Sequence, residues 1–179
     1  MHEMMERLYH DHRNLSRLFD MLEEQVARYD RDSTLEPDLL LILDIVSYLN
    51  DYPRAYHHPL EEAAIAQIND QEPKKPDINR LISEQHHDLE KATERLSGLF
   101  TQVANDYPVP IEEIREALNS YLAQSREHLQ AEEDRLFPIM EQVLGDEEWR
   151  NITSRLPEHG DPLLDEDPDA DFAELKNRL

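Results

Sequence analysis

Two stretches of the 179-residue sequence repeat one interval between an imidazole and a carboxylate: His57 to Glu61 in HHPLEE and His128 to Glu132 in HLQAEE. On a helix, positions i and i+4 differ by about 40° around the axis, so each pair can aim both side chains at one point. Alone, such a pair is an ordinary surface contact. Two further histidines change its meaning. His12 lies between Leu8 and Leu15, and His86 between Ile82 and Leu89, both at helical spacing on apolar stripes. Glu132 falls between Leu129 and Leu136, and Glu61 is four residues before Ile65. An ionised carboxylate buried without a partner costs several kcal/mol or is forced neutral. Two carboxylates and four imidazoles solve that problem together if they coordinate cations.

The intervals repeat as well. His12 precedes its pair by 45 residues and His86 precedes its own by 42, so each half of the chain carries one set. Aligning the halves sets His58 against Leu129 and Glu62 against Glu133, which favours His57 and Glu61 over their neighbours. One motif per half predicts a two-metal site. Imidazole with carboxylate and no thiolate suits iron, manganese or zinc and disfavours magnesium or calcium. Carboxylates placed to bridge, with histidines on both sides, point to two iron ions. A ferritin-like site needs Glu-x-x-His on two helices, and only Glu84–His87 has that spacing. The His-Glu-x-x-His of zinc proteases is absent.

The elements that must position these residues are helices, because apolar residues recur at three and four almost everywhere and no strand alternation appears. Met5, Leu8, Leu15, Phe19, Leu22 and Val26 mark the first helix. Ser33 or Thr34 can cap a second, with Pro37 in its first turn, running to about Asn69. A third starts at Asp77, after the Pro-rich DQEPKKPD break, and its stripe extends to Val103. A fourth runs from Ile111 to Leu144. The expected fold is all-α, an up-down-up-down four-helix bundle over residues 1–150. A short fifth helix, DEEWRNITSRL, follows, with Trp149 packing on the bundle end. Residues 151–179 form an extension closing in an acidic tail, anchored through Leu163, Leu164, Phe172 and Leu175.

A net charge of −23, from 41 acidic and 18 basic residues, argues against nucleic-acid or anionic-membrane partners. There is no cysteine, so disulfides, thiolate sites and cysteine nucleophiles are excluded. The longest apolar run, LLLILDIV, is broken by Asp44 and is far short of a membrane span. With no apolar leader at the N-terminus, the expected location is cytoplasmic.

Together, DHRNL around His12, HHPLEE, EQHHDL around His86, HLQAEEDRLFP and the closing DPLLDEDPDADFAELKNRL resemble the hemerythrin-like, or HHE cation-binding, domains. The resemblance spans essentially the whole chain. It implies a four-helix bundle with a carboxylate-bridged non-haem di-iron centre that meets oxygen, nitric oxide or peroxide. Oxygen carriers of that family have His-x-x-x-His on the third helix, whereas position 90 here is Glu. They also place Asp five residues after the fourth-helix histidine, where this chain has Glu132 four after His128. These departures favour sensing, scavenging or redox chemistry over reversible oxygen carriage. The candidate ligands are His12, His57, Glu61, His86, His128 and Glu132, with Glu90 a seventh. Two other readings stay open: an enzyme turning over peroxide or nitric oxide at this site, and a metal-free helical module that binds a protein partner.

Three smaller expectations follow. Pro59 cannot donate to the carbonyl of Ala55 and should kink the second helix. Tyr121, seven residues before His128, lies on its side of the helix. His2 and His159 should be solvent-exposed.

Overall fold

The computed structural model describes residues 2–29, 32–71, 76–156, 163 and 173–178. Among them there are helices and no strands. Helix α1 (Glu3–Arg28) is followed by α2 (Leu39–Tyr52), which runs through a π-helical turn (Pro53–His57) into α3 (His58–Gln71). Helix α4 (Pro76–Ala104) is unbroken. Helix α5 (Ile111–Ala131) continues through a second π-helical turn (Glu132–Leu136) into α6 (Phe137–Val143). Four long rods result. The first packs on the second and fourth, and the third packs on the same two, which makes a four-helix bundle. Short α7 (Asp146–Thr153) lies against α3, and α8 (Ala173–Arg178) touches α2.

Two helix starts differ from the sequence reading. The second rod is capped by Asp38, whose carboxylate accepts from the Leu41 N–H at 3.1 Å, and not by Ser33 or Thr34. Ser33 closes its own turn instead, bonding the Leu35 carbonyl and N–H. The third rod begins one residue early, at Pro76. His2 is not a free surface residue. Its Nδ1 accepts from the Met4 N–H at 3.1 Å, and its ring stacks on buried Trp149, centroids 5.6 Å apart.

Both π-helical turns have a proline to explain them. Pro59 and Pro138 lack an N–H and crowd the carbonyl four residues back, at Ala55 and Asp134. Each of those carbonyls lies inside a π-helical turn, where the wider ring gives the pyrrolidine room. The N–H of His58 reaches the Pro53 carbonyl and that of Phe137 the Glu132 carbonyl, both five residues back. The expected disturbance at Pro59 is therefore a local widening upstream of the proline.

The core has two parts. One, built on Leu18, Leu22, Ile42, Ile45, Phe100 and Leu118, fills the end of the bundle where α1 finishes and α2 begins. The other, built on Leu8, Ile68, Ile82, Leu136, Phe137 and Trp149, fills the opposite end. Leu163 and Leu175 are buried in the first part; Leu164, Phe172 and His159 lie outside the described residues. Among the described residues, no helix is long and apolar enough to cross a membrane.

Candidate metal centre

Between the two apolar parts lies a layer of buried polar side chains: His12, His57, Glu61, His86, His128 and Glu132, none more than 4 % exposed. They come from all four rods. Helical spacing puts His12 and His86 inward from α1 and α4, while the two His-x-x-x-Glu pairs arrive from the second and fourth rods. A plain core would fill these slots with leucine, so the layer needs an electrostatic reason to exist.

The oxygens supply it. Glu61 Oε1 stands 3.4 Å from His57 Nε2 and 3.9 Å from His12 Nε2, and its Oε2 is 3.2 Å from His86 Nε2. Glu132 Oε2 stands 3.3 Å from His12 Nε2, and its Oε1 is 3.2 Å from His86 Nε2 and 3.1 Å from His128 Nε2. Each carboxylate thus presents one oxygen to the His12–His57 pair and the other to the His86–His128 pair. Bonds of about 2.0–2.2 Å, leaving one ion at right angles, put neighbouring donors about 3 Å apart. The spacing is that of donors around a bound cation.

Apart from the hydrogen bond between His86 Nε2 and Glu132 Oε1, the protein leaves these atoms unpaired with one another. Both Glu61 oxygens, Glu132 Oε2, and Nε2 of His12, His57 and His128 are buried without a hydrogen bond of good geometry. Such atoms are rare in folded proteins and ask for a partner. His12, His57, Glu61 and Glu132 form one group whose donor atoms lie within 4.8 Å of one another; Glu61, His86, His128 and Glu132 form another. The donors fit a metal.

The opposite nitrogens are all engaged. His12 Nδ1 is 3.0 Å from Glu133, His57 Nδ1 3.1 Å from Asp11, His86 Nδ1 2.8 Å from Glu62, and His128 Nδ1 3.3 Å from the Gln85 amide oxygen. An acceptor at Nδ1 keeps that nitrogen protonated and turns the Nε2 lone pair toward the centre. This explains the doubled glutamates. In each Glu-Glu the first residue points into the layer and the second orients a histidine belonging to the other half: Glu62 holds His86 and Glu133 holds His12. Tyr52 donates to the Asp11 carboxylate at 2.9 Å and fixes it in turn. Asp11→Ala and Glu133→Ala are each expected to weaken metal binding about 10–100-fold, since both free an imidazole to rotate. Competition with a chromophoric chelator measures this, and unchanged affinity would deny these carboxylates an orienting role.

His58 and Glu90 are placed differently from the sequence reading. His58 is buried, with its ring stacked on His86 at 4.1 Å and edge-on to His128 at 6.0 Å. It forms a third donor group with those two histidines. Rings stacked 16° from parallel cannot both hold one ion in their planes, so His58 is a wall of the centre more than a third imidazole on that ion. Glu90 stands 3.7 Å from His58 Nδ1 and belongs to none of the three groups. One turn beyond His86 on α4, its carboxylate turns toward the second rod instead of the space between the histidine pairs. Tyr121 is buried and lines a cavity shared with His57, His58 and His128.

Without metal, protons balance the charge. Burial alone would push His12, His57 and His86 down. Glu132, Glu133 and Glu61 around His12, Glu61 and Asp11 around His57, and Glu132, Glu61 and Glu62 around His86 outweigh it, lifting all three, His86 to about 11. Burial likewise favours the neutral form of Glu61, but His57, His12 and His86 hold it well below the usual carboxylate range. His58 and His128 are pushed down, first by burial and then by neighbouring imidazoliums, despite the opposing pull of Glu61 and Glu132. The two sets act on stability with opposite sign. Groups raised above the unfolded value of about 6.5 contribute fully below that pH and lose their contribution as pH rises toward the folded value. Groups lowered from it contribute above about 6.5 and lose it as pH falls. The metal-free protein is expected to be most stable near pH 6.5, with urea midpoints falling on both sides. A monotonic profile between about pH 5 and 9 would contradict this assignment of protons.

The Hemerythrin HHE cation binding domain family matches residues 3–140, and a second match covers residues 77–161, beginning one residue into α4. No curated protein and no solved structure matches the chain significantly. The matched span contains all four rods and every side chain of the buried layer, and the geometry of that layer is that of a cation site. The chain belongs to the hemerythrin HHE cation-binding domain family.

Proposed function

We propose that this protein holds two iron ions bridged by Glu61 and Glu132, and that it binds oxygen, nitric oxide or peroxide there in sensing, scavenging or oxygen handling. One observation carries the reading: each glutamate offers one oxygen to each histidine pair. A single-ion site would not need that division. The donor set is nitrogen and oxygen without sulfur, which suits iron. When bound, the irons supply redox chemistry and open positions for a small ligand.

The chain's own residues do the rest. His12 and His57 serve one ion, and His86 and His128 the other. Asp11, Glu62, Gln85 and Glu133 hold the imidazoles in register. The two apolar parts of the core keep water from the layer on both sides. A cavity of about 30 Å³ opens beside His57, His58 and His128, large enough for a molecule of two heavy atoms.

The test is elemental analysis of untagged protein expressed with iron available. About two irons per chain are expected, as in other two-metal sites. One ion per chain, or manganese or zinc taken up in preference, would unseat the di-iron reading while leaving the cation site.

A further inference from the structure

The cavity beside the histidines has a second chemical character. Leu15, Phe19, Leu49 and Leu129 form apolar walls, as expected for a pocket in a helical core. Thr93, Tyr121 and Ser125 line it too, and each carries a hydroxyl. Ser125 and Tyr121 are on α5, one and two turns before His128, and Thr93 faces them from α4. All three are at least 96 % buried.

Their hydrogen bonds leave capacity to spare. Thr93 donates to the Leu89 carbonyl at 2.8 Å, which leaves its oxygen free to accept. Ser125 Oγ is buried without a hydrogen bond of good geometry. The Tyr121 hydroxyl makes hydrogen-bonding contacts with Thr93 and Ser125, which offset part of the rise that burial imposes on it. Of three hydroxyl protons only one is committed to the backbone. A bundle that needed only packing here would use Val, Phe and Ala and avoid the cost of burying hydroxyls.

We propose that Thr93, Tyr121 and Ser125 form a recognition site for hydrogen peroxide, held between them and the metal centre in preference to an apolar diatomic gas. Peroxide has two heavy atoms, two donors and several lone pairs, matching both the space and the unspent hydroxyls. Ser125 and Tyr121 donate to it, and Thr93 and Ser125 accept from it. Oxygen and nitric oxide carry no donor and accept weakly, so the hydroxyls gain little from them. This inference names a ligand for the centre and so rests on the di-iron reading.

Two measurements test it. In the iron-loaded protein, stopped-flow mixing gives separate rate constants for hydrogen peroxide and nitric oxide. Ser125→Ala and Tyr121→Phe should each lower the peroxide constant about tenfold, the effect of losing a well-placed hydrogen bond, and change the nitric oxide constant less than about twofold. Equal losses for both ligands, or no loss for either, would overturn the proposal. Ser125→Ala breaks no internal hydrogen bond of good geometry, so it folds even where Tyr121→Phe disturbs packing. The second measurement needs no iron. Crystals of metal-free protein soaked in hydrogen peroxide should show a two-atom ligand about 3 Å from Ser125 Oγ, and a pocket without it would also overturn the proposal. A chain that takes up no iron but binds peroxide at Ser125 would separate failure of the di-iron reading from failure of this one.

Discussion

Glu132→Ala is expected to strip the centre of metal and to destabilise the metal-free protein by about 3–5 kcal/mol, the usual cost of leaving a buried charge without its partner. Glu132 is fully buried, and both of its oxygens serve histidines, His12 on one side and His86 and His128 on the other. With metal bound as proposed, its loss would remove one donor from each ion. Without metal, its loss leaves Glu61 as the one carboxylate facing Nε2 of protonated His12 and His86, whose Nδ1 atoms keep Glu133 and Glu62. The lost methylenes account for only a minor part, at about 0.8 kcal/mol per buried CH₂. The charge imbalance therefore dominates. Pairing Glu132→Ala with His86→Ala should recover part of the loss, which a double-mutant cycle in urea would show. Elemental analysis reads the metal. A variant that keeps its full complement and unfolds within about 1 kcal/mol of wild type would mean that Glu132 neither bridges nor balances charge.

Metal removal has the second large effect. A ligand held at 1,000 times its dissociation constant stabilises the folded state by about 4 kcal/mol. For a chain of this length each kcal/mol moves the melting temperature by about 2–4 °C, so chelation should lower it by about 10 °C. The gap should widen from pH 6 to pH 8. Metal must displace protons from His12, His57 and His86, whose proton affinity is raised in the metal-free state. Metal affinity therefore rises with pH as the metal-free state loses the stability those protons contribute. Calorimetric scans of loaded and chelated protein at the two pH values measure both effects. A melting temperature indifferent to chelation would show that the buried layer is satisfied by its own protons.

The inner layer was legible in the sequence because its signal is local. His57 with Glu61 and His128 with Glu132 are one helical turn apart, and any helix places such residues side by side. His12 and His86 declared themselves by interrupting apolar stripes whose period was otherwise intact. The four rods followed from the same periodicity, and family membership agrees with them. Pro59 was also readable as a disturbance, because the missing N–H is a property of the residue itself.

What the sequence could not give is which groups meet across rods. Asp11 orients His57 from 46 residues away, Gln85 meets His128 from 43 away, and Glu133 reaches His12 over 121. Nothing in their local spacing marks these partners, since the contact depends on the rotation and offset of two packed helices. The crossing of Glu62 and Glu133 to histidines of the opposite half is likewise a product of packing. So is the stacking of His58 on His86, since alignment with Leu129 had only set His58 behind His57 as a donor. The cap at Asp38 in place of Ser33 or Thr34 was settled by a tertiary contact, because Gln25 of α1 accepts the Asp38 N–H at 2.8 Å. The sequence by itself determined the helices, the inward faces and six donors for a cation, because those depend on residue type and a 3.6-residue period. Only the tertiary structure decided how the donors group about the two carboxylates, what orients them, and that a hydroxyl-lined cavity opens beside them, because those depend on distances between rods that no single rod contains.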